Sequence, residues 1–349
     1  MLESQNIPIW SQFILDKMEE EEQKNVERLS SLLRSRSPTT IFFESFFIIL
    51  IDLTALVGNV LVCFVFYKKP MLRTITNVYI GALAISDVLI SVLVMPCTAM
   101  IFIKGEWIFT DVVCQYQGFV VLLLAWASLH IMTLTAINRY YRVVRPNVYT
   151  KWFSIKSSIV MICSTLVIII IVIVIPIAGA WSHFTFRPGK GTCFMTFNKS
   201  FKTTRMVYIA GVVLFYSVLP MIIIFICYYK VLKTVKNHTT VIHPSFKNPL
   251  QKREQARATS MSVREVNVTR TLFCMVVGFV VCWIPVIIVE MLNSFLGTAS
   301  LPRGAYLCYL YFAYISSALN PIIYGVMNKT FRRELFSVLL LRKTEVCLS

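Results

Sequence analysis

The sequence predicts an all-α membrane protein, a seven-transmembrane helix bundle followed by a short amphipathic eighth helix. Three observations carry this. First, 57% of the 349 residues are apolar and mean hydropathy is +0.70, more apolar than soluble domains usually are. Second, the apolar residues fall into seven runs, near 41–67, 76–103, 112–140, 155–181, 205–232, 266–293 and 304–327. About 20 such residues cross a bilayer as a helix, and helix satisfies the backbone internally where no water can. Third, Lys and Arg concentrate after the first, third and fifth runs and in the tail, opposed there only by Glu254, Glu265, Glu334 and Glu345. Basic segments stay cytoplasmic. This predicts a multi-pass plasma-membrane protein with the N-terminus extracellular and the C-terminus cytoplasmic. The net charge of +17 then reflects this bias and attraction to anionic membrane lipids. No basic stripe is interleaved with exposed aromatics, so nucleic acid is not an expected partner.

Taken in order, residues 1–40 are polar and include the acidic run Glu19 to Glu22. Phe13, Ile14, Met18, Val26, Leu29 and Leu33 give only a weak amphipathic pattern, so a mobile extracellular tail is expected. No basic start leads into an apolar core, so no cleavable signal is expected, and the first span serves for targeting. The bundle occupies 41–327. Its joints carry Lys68-Lys69-Pro70, Lys104-Gly105-Glu106, Arg145-Pro146, Arg187-Pro188-Gly189-Lys190 and the stretch from Gly297 to Arg303. The basic loop 233–264 reads as a solvated cytoplasmic linker, with Thr239, Thr240, Thr259, Ser260 and Ser262 as hydroxyls a kinase would modify. Residues 328–349 read as an amphipathic helix on the inner membrane face, through Phe331, Leu335, Phe336 and Leu340, and a cytoplasmic tail. Cys347 in that tail is a candidate for acylation. Of the Asn-x-Ser/Thr sequons, those at Asn237, Asn267 and Asn328 fall inside on this topology, and Asn198 falls outside as the candidate glycosylation site.

The third run is the axle. It begins at Cys114, carries no formal charge for about 24 residues, and ends in Asn138-Arg139-Tyr140. A Cys-Trp-x-Pro pattern at Cys282, Trp283 and Pro285 follows Phe279 by one turn in the sixth run, and Asn320-Pro321-Ile322-Ile323-Tyr324 closes the seventh, with Phe331 beyond it. Pro220 stands eight residues before Tyr228 in the fifth run. In these motifs, in order along residues 45–340, the chain resembles the rhodopsin-like G-protein-coupled receptors. It departs from their pattern at Asn138, where an acid is usual and where melatonin receptors are similar to this chain. Thr110 replaces a glycine after Trp107 and Phe109, and Leu166 stands where span four usually has tryptophan.

The resemblance implies a receptor that passes an extracellular ligand's signal to a heterotrimeric G protein, with arrestin and receptor kinases as further partners. It implies an activation switch built from Asn138, Arg139, Tyr140, Tyr228, Glu265, Phe279, Trp283, Pro285, Asn320, Pro321 and Tyr324. Glu265 would latch Arg139 at rest, and the Pro285 kink would supply a lever. Cys114 and Cys193 are the only cysteines expected in the oxidising outer loops or helix mouths. A bond between them would hold the loop after span four over the bundle mouth, against the alternative of two free thiols. Cys63, Cys97, Cys163, Cys227, Cys274, Cys282 and Cys308 lie in apolar runs as small hydrophobes. Asp87 is read as the one acid deep inside the spans. Intramembrane charge is expensive, and Asn59, Ser128, Ser316, Ser317 and Asn320 are partners at comparable depth. Asp87, Ser128, Ser317 and Asn320 resemble the family's sodium pocket, with a neutral, protonated Asp87 in a water network as the alternative.

By helical phase and analogy, Val121, Leu122, Ala125, Trp126, Tyr216, Trp283, Glu290, Leu310 and Tyr314 line the ligand pocket. Biogenic-amine receptors hold an aspartate at the place of Val121. Opsins attach retinal to a lysine at the place of Tyr314, so no covalent retinal is expected. Tyr216 replaces the melatonin-receptor histidine. The remaining apolar, aromatic pocket with Glu290 near its rim suits an uncharged or weakly polar small molecule, with a peptide ligand as the alternative. A transporter would show internal repeats or paired mid-membrane charges, and a channel a ring of charge. An enzyme would show a catalytic constellation, but His130, His183, His238 and His243 are scattered. His130 reads as a hydrogen-bonded structural residue.

Overall fold

The computed structural model describes residues 9–198, 202–240 and 249–339, with the side chains at 9–16, 18–19, 202–203, 237–240, 249–265, 294, 330 and 338–339 outside that description. Seven helical segments among the described residues are long and apolar enough to cross a membrane. They are α2 (Pro38–Lys68), the pair α3 (Ile75–Leu93) and α4 (Met95–Lys104), α5 (Asp111–Val144), α7 (Ile155–Ala178), the pair α8 (Lys202–Val213) and α9 (Leu219–Thr240), α10 (Pro249–Leu296) and α11 (Arg303–Met327). A short α6 (Pro146–Trp152) follows α5, and α12 (Lys329–Leu339) is the eighth helix expected after the bundle. Side-chain hydroxyls of Ser37, Thr74, Thr110 and Ser154 cap α2, α3, α5 and α7, each meeting a backbone N–H the helix itself leaves free. In α12, Phe331 and Leu335 turn toward the bundle while Phe336 stays exposed.

The spans depart from straight rods where proline requires it. Span two breaks at Val94, just before Pro96, because proline has no N–H to donate and crowds the preceding turn. Span five opens into a π-turn at Leu214–Val218, ahead of Pro220. The wider turn absorbs the missing bond and leaves Tyr216 buried between the exposed Phe215 and Val218. The core of the spans is two apolar clusters, and a third joins Leu29, ahead of the first span, to Val289, Ala299, Leu301 and Tyr306. The larger runs the length of α5 and takes in spans two, four, five and six; the smaller joins Ile48, Val94, Met95, Phe102, Val120, Leu124, Leu310 and Tyr314. At Gly58 the first and seventh spans touch so closely that a Cβ would lie 2.6 Å from the Pro321 ring.

Two segments differ from their sequence-based expectation, and a third takes a form that the sequence left open. Instead of a mobile tail, the chain forms α1 (Ile9–Arg34) before the first span. Leu29 and Leu33, one turn apart, are both buried, so the weak apolar stripe finds a counter-surface that only the folded bundle offers. The expected linker 233–264 is mostly helix, since α9 runs to Thr240 and α10 starts at Pro249. Gln, Lys, Arg, Glu and Ala after Pro249 are strong helix formers that extend span six beyond its apolar part. The loop after α7 is a hairpin, β1 (Ser182–Arg187) and β2 (Thr192–Phe197), pairing antiparallel from Ser182–Phe197 to Arg187–Thr192.

Candidate functional site

At one end of the bundle, a disulfide joins Cys114 of α5 to Cys193 of β2. Sequence reasoning named this pair but missed what seats the hairpin beside it. Gln115 donates to the Phe184 carbonyl at 2.7 Å and accepts from the Phe184 N–H at 2.9 Å. The Gln117 carboxamide oxygen accepts from the Cys193 N–H at 3.1 Å. Gly118 lets Phe184 lie against the helix, for a Cβ there would be 2.3 Å from the ring. The signal was present: two amides and a glycine follow Cys114 within four residues. The hairpin's tip brings Lys190 to Glu290 at 2.6 Å, with the ammonium 3.7 Å from the Phe194 ring centre. The acid expected at the pocket rim therefore already has a cation from the chain.

Helix α1 lies across the same end. Arg28 donates to the carbonyls of Ala299, Ser300 and Leu301, and Glu22 pairs with Arg187 of β1 at 2.9 Å. Leu29 packs with Val289, Ala299, Leu301 and Tyr306. After α1 the chain turns at Arg36, whose guanidinium donates to the carbonyls of Leu33 and Phe102 at 2.6 Å each and to Glu44 at 2.8 Å. Arg303 also pairs with Glu44. Asp52 in span one corrects the reading of Asp87 as the one acid deep inside the spans, and Glu44 lies nearer the mouth of the same span. Both fall inside the apolar run that begins at residue 41; Glu44 is buried and Asp52 half-buried.

The predicted pocket residues divide between the two clusters. Leu122, Tyr216, Trp126 and Trp283 belong to the larger, whereas Val121, Leu310 and Tyr314 belong to the smaller. Ala125 is half-buried on α5, and Glu290 stands apart with Lys190. Tyr216 packs on Trp126 and His130, with ring centres 4.9 and 5.1 Å away. His130 Nδ1 meets the Trp126 carbonyl at 2.8 Å, the structural role expected of it. Tyr314 and Thr98 share a hydrogen bond of 2.7 Å. Phe279 and Trp283 stack at 5.3 Å, one turn apart on α10 above Pro285.

Deeper in the bundle, Asp87 is buried and receives the Asn320 amide at 2.9 Å, with the Ser317 hydroxyl as its second partner. Ser128 pairs with Ser86 at 3.2 Å. Asn59 donates to the carbonyls of Ala55 and Ser317, and Ser316 to that of Ala313, so those two side chains serve the helices. Among the described residues no three His, Cys, Asp or Glu gather as a metal site. A hard monovalent cation would be met here by carboxylate and hydroxyl oxygens instead.

At the far end, Arg139 is 1% exposed, with its charge close enough to Tyr228 and Tyr324 to act on both hydroxyls. Tyr324 donates to Asn77 at 3.0 Å and packs on Phe331 of α12 at 4.7 Å. Tyr140 lies outward beneath Lys230, whose ammonium is 5.6 Å from the ring centre. Glu265 has its backbone in α10, but its side chain, and so the expected latch, lies outside the described residues. Cys347 and the hydroxyls of the 233–264 segment lie outside them too. Asn198, the candidate glycosylation site, is exposed beyond β2, and its side-chain nitrogen bonds the Ala180 carbonyl at 2.7 Å.

Comparison with known proteins places this geometry. The family described as "7 transmembrane receptor (rhodopsin family)" matches residues 58–324. The human 5-hydroxytryptamine receptor 4 is 28% identical over 313 residues, covering 84% of this chain and 78% of its own. The human visual pigment-like receptor peropsin is 28% identical over 292 residues, covering 84% and 82%. The sheep (Ovis aries) melatonin receptor type 1A is 27% identical over 293 residues, covering 82% and 74%. The crystal structure of squid rhodopsin superposes with a TM-score of 0.74 over 88% of this chain and 87% of that one. At 23% identity this last likeness speaks for the fold alone.

Proposed function

Because the chain belongs to the rhodopsin family of seven-transmembrane receptors, we propose that it binds an extracellular ligand between its spans and activates heterotrimeric G proteins by opening the Arg139 end. The observation that carries this is Arg139 itself. A buried guanidinium is costly unless its surroundings satisfy it, and this one stands with Tyr228 and Tyr324 at the convergence of three spans. Movement of α10 about Pro285 would expose it to a partner. The disulfide end then faces outward, with the N-terminus extracellular, the C-terminus cytoplasmic and the chain in the plasma membrane. Asn198 would carry a glycan, and arrestin, receptor kinases and membrane lipids would meet the basic end.

The ligand of this reading is a small molecule with a largely apolar body, held between the Tyr216–Trp126–Trp283 and Leu310–Tyr314–Val121 walls. The Lys190–Glu290 pair, closed within the chain, supports this over a ligand whose main anchor is Glu290. A sodium ion would be held by Asp87 and Ser317, with Ser128 and Asn320 beside them, and would supply a positive charge that steadies the resting bundle. The test is nucleotide exchange by purified receptor in lipid nanodiscs on a panel of heterotrimers. Exchange faster than that of an Arg139→Ala variant is expected. Equal rates for both proteins on every heterotrimer, with and without added ligands, would overturn the reading.

A further inference from the structure

The acids at the disulfide end can be sorted by what neutralises them. Glu44 meets Arg36 and Arg303, Glu290 meets Lys190, Glu22 meets Arg187 and Glu106 meets Arg34. Asp52 differs. It lies eight residues after Glu44 on α2, about 12 Å deeper along the helix axis. It shares the inward face with the fully buried Ile48 and Ala55. Its one hydrogen-bonding neighbour is the Ser91 hydroxyl. Its Oδ1 is sealed from solvent and has no partner, and among the described residues no Lys, Arg or His pairs with it. A carboxylate so placed leaves an acceptor unmet at a cost usually avoided in native structures.

Its surroundings show what kind of group would meet it. Ile51, on one side of Asp52, packs against the smaller apolar cluster, as does Val121 of α5. Tyr314, a buried member of that cluster, lies close enough to feel the Asp52 charge. The Tyr314 hydroxyl is already engaged with Thr98, and the Ser91 hydroxyl also faces the Met95 sulfur at 3.9 Å. Asp52 thus has a hydroxyl and an aromatic ring of the smaller cluster near it, and among the described residues no counter-charge. We propose that Asp52 binds the ammonium group of an organic amine whose apolar body lies along the Val121–Tyr314 wall. This rests on the receptor reading above, names the chemical class of its ligand and replaces the uncharged molecule expected from sequence. That expectation looked for the acid at Val121 on span three, whereas this wall carries it on span one. Opposite charges attract more strongly in such surroundings than in water, and an N–H of the ammonium would satisfy Oδ1.

The test is thermal unfolding of full-length receptor in nanodiscs with phenethylammonium or its neutral counterpart 2-phenylethanol. Phenethylammonium should stabilise the wild type more than the alcohol does. Asp52→Asn should weaken the amine by about tenfold or more, while Asp52→Glu keeps most of its affinity. The proposal is overturned if the amine does not stabilise, if the two probes act alike, or if Asp52→Asn binds the amine as wild type does. Should the Asn variant fail to fold, dicyclohexylcarbodiimide labelling of the wild type decides. The amine should protect Asp52, read by peptide mass spectrometry, and equal labelling with and without it counts against the proposal. Loss of amine binding with nucleotide exchange intact defeats this proposal alone. Asp52-dependent binding without exchange defeats the receptor reading alone.

Discussion

The two ends of the bundle differ in how many of their buried charges are held by ion pairs. At the disulfide end most charges that leave water are matched: Arg36 and Arg303 hold Glu44, Lys190 holds Glu290, and Arg28 fills three carbonyls, while Asp52 Oδ1 and neutral groups such as Gln117 Nε2 and the Ser182 and Thr192 hydroxyls stay unmet. At the Arg139 end several buried neutral polar atoms likewise have no hydrogen-bond partner among the described residues. These include both amide atoms of Asn138 and the hydroxyls of Tyr228 and Thr76. Matched polar groups fix one arrangement, while unmatched ones gain from a different one. The ion pairs favour one arrangement at the first end, while the Asn138 and Tyr228 groups would gain from a different one at the second.

The largest test of this contrast is Glu44→Gln. It leaves Arg36, whose side chain is 3% exposed, without its counter-charge. Removing one partner of a buried ion pair costs about 3–5 kcal/mol, so a large fall in the unfolding temperature of detergent-purified protein is expected. A change no larger than that of Lys24→Gln, at an exposed pair on α1, would show that water already fills this end. Next in size is Gly118→Ala. Its methyl would enter the Phe184 ring at 2.3 Å, and overpacking of that kind costs about 1–3 kcal/mol. The hairpin should loosen with the disulfide intact, read as faster hydrogen exchange at Phe184 and Cys193. Unaltered exchange there would mean that the disulfide alone seats the loop.

The opposite sign is expected at the other end. Asn138→Leu removes two desolvated groups that bond nothing in the chain and puts an apolar side chain of similar size at a fully buried position. Each unsatisfied group costs about 1–3 kcal/mol, so the variant should unfold at a higher temperature. It should also activate G protein less readily, because the resting arrangement has lost a reason to change. A lower unfolding temperature would place an ordered water on the Asn138 amide and erase the contrast between the ends.

Legibility in the sequence followed the same divide. The spans were legible because hydrocarbon admits little but helix, and length and charge then fix their number. Cys114, Arg139, Pro285 and Asn320 were legible as motif residues at fixed spacing. Most of what was missed lies at the disulfide end and depends on long-range partners; at the other end the helical continuation of spans five and six into 233–264 was missed. Glu44 and Asp52 were passed over inside an apolar run, since composition averages a lone acid away. Lys190 read as a turn residue because Glu290, its partner, is a hundred positions on. Val26, Leu29 and Leu33 were too few among charges to announce α1 before its docking surface was known. The break at Val94 was foreseeable from Pro96, and the π-turn that buries Tyr216 from Pro220, but their exact residues depend on packing.

The smallest effect tests whether the Arg139 end has any fixed point of its own. Glu334 of α12 pairs with Lys69, beyond span one, at 3.0 Å, and Lys69 also reaches Ser337 at 3.2 Å. The hydrogen bond from Lys69 holds the Glu334 carboxyl below the usual glutamate range, against the opposing pull of burial. A carboxylate with a lowered pKa stabilises the folded state fully above its unfolded pKa, and that contribution fades as pH falls through the folded value. Docking of α12 should therefore hold at neutral pH and weaken only below the ordinary glutamate pKa of about 4.3. Lys69 keeps some contact with water, so the pair contributes about 1 kcal/mol at most. A fluorescent label on Phe336→Cys, at an exposed position of α12, would report the change as increased mobility in acid. Lys69→Met should move that midpoint upward, toward ordinary glutamate. An unmoved midpoint would mean that Phe331, packed against Phe66 and Tyr324, docks the helix alone, and that this end is held by apolar contact with no charge fastening it.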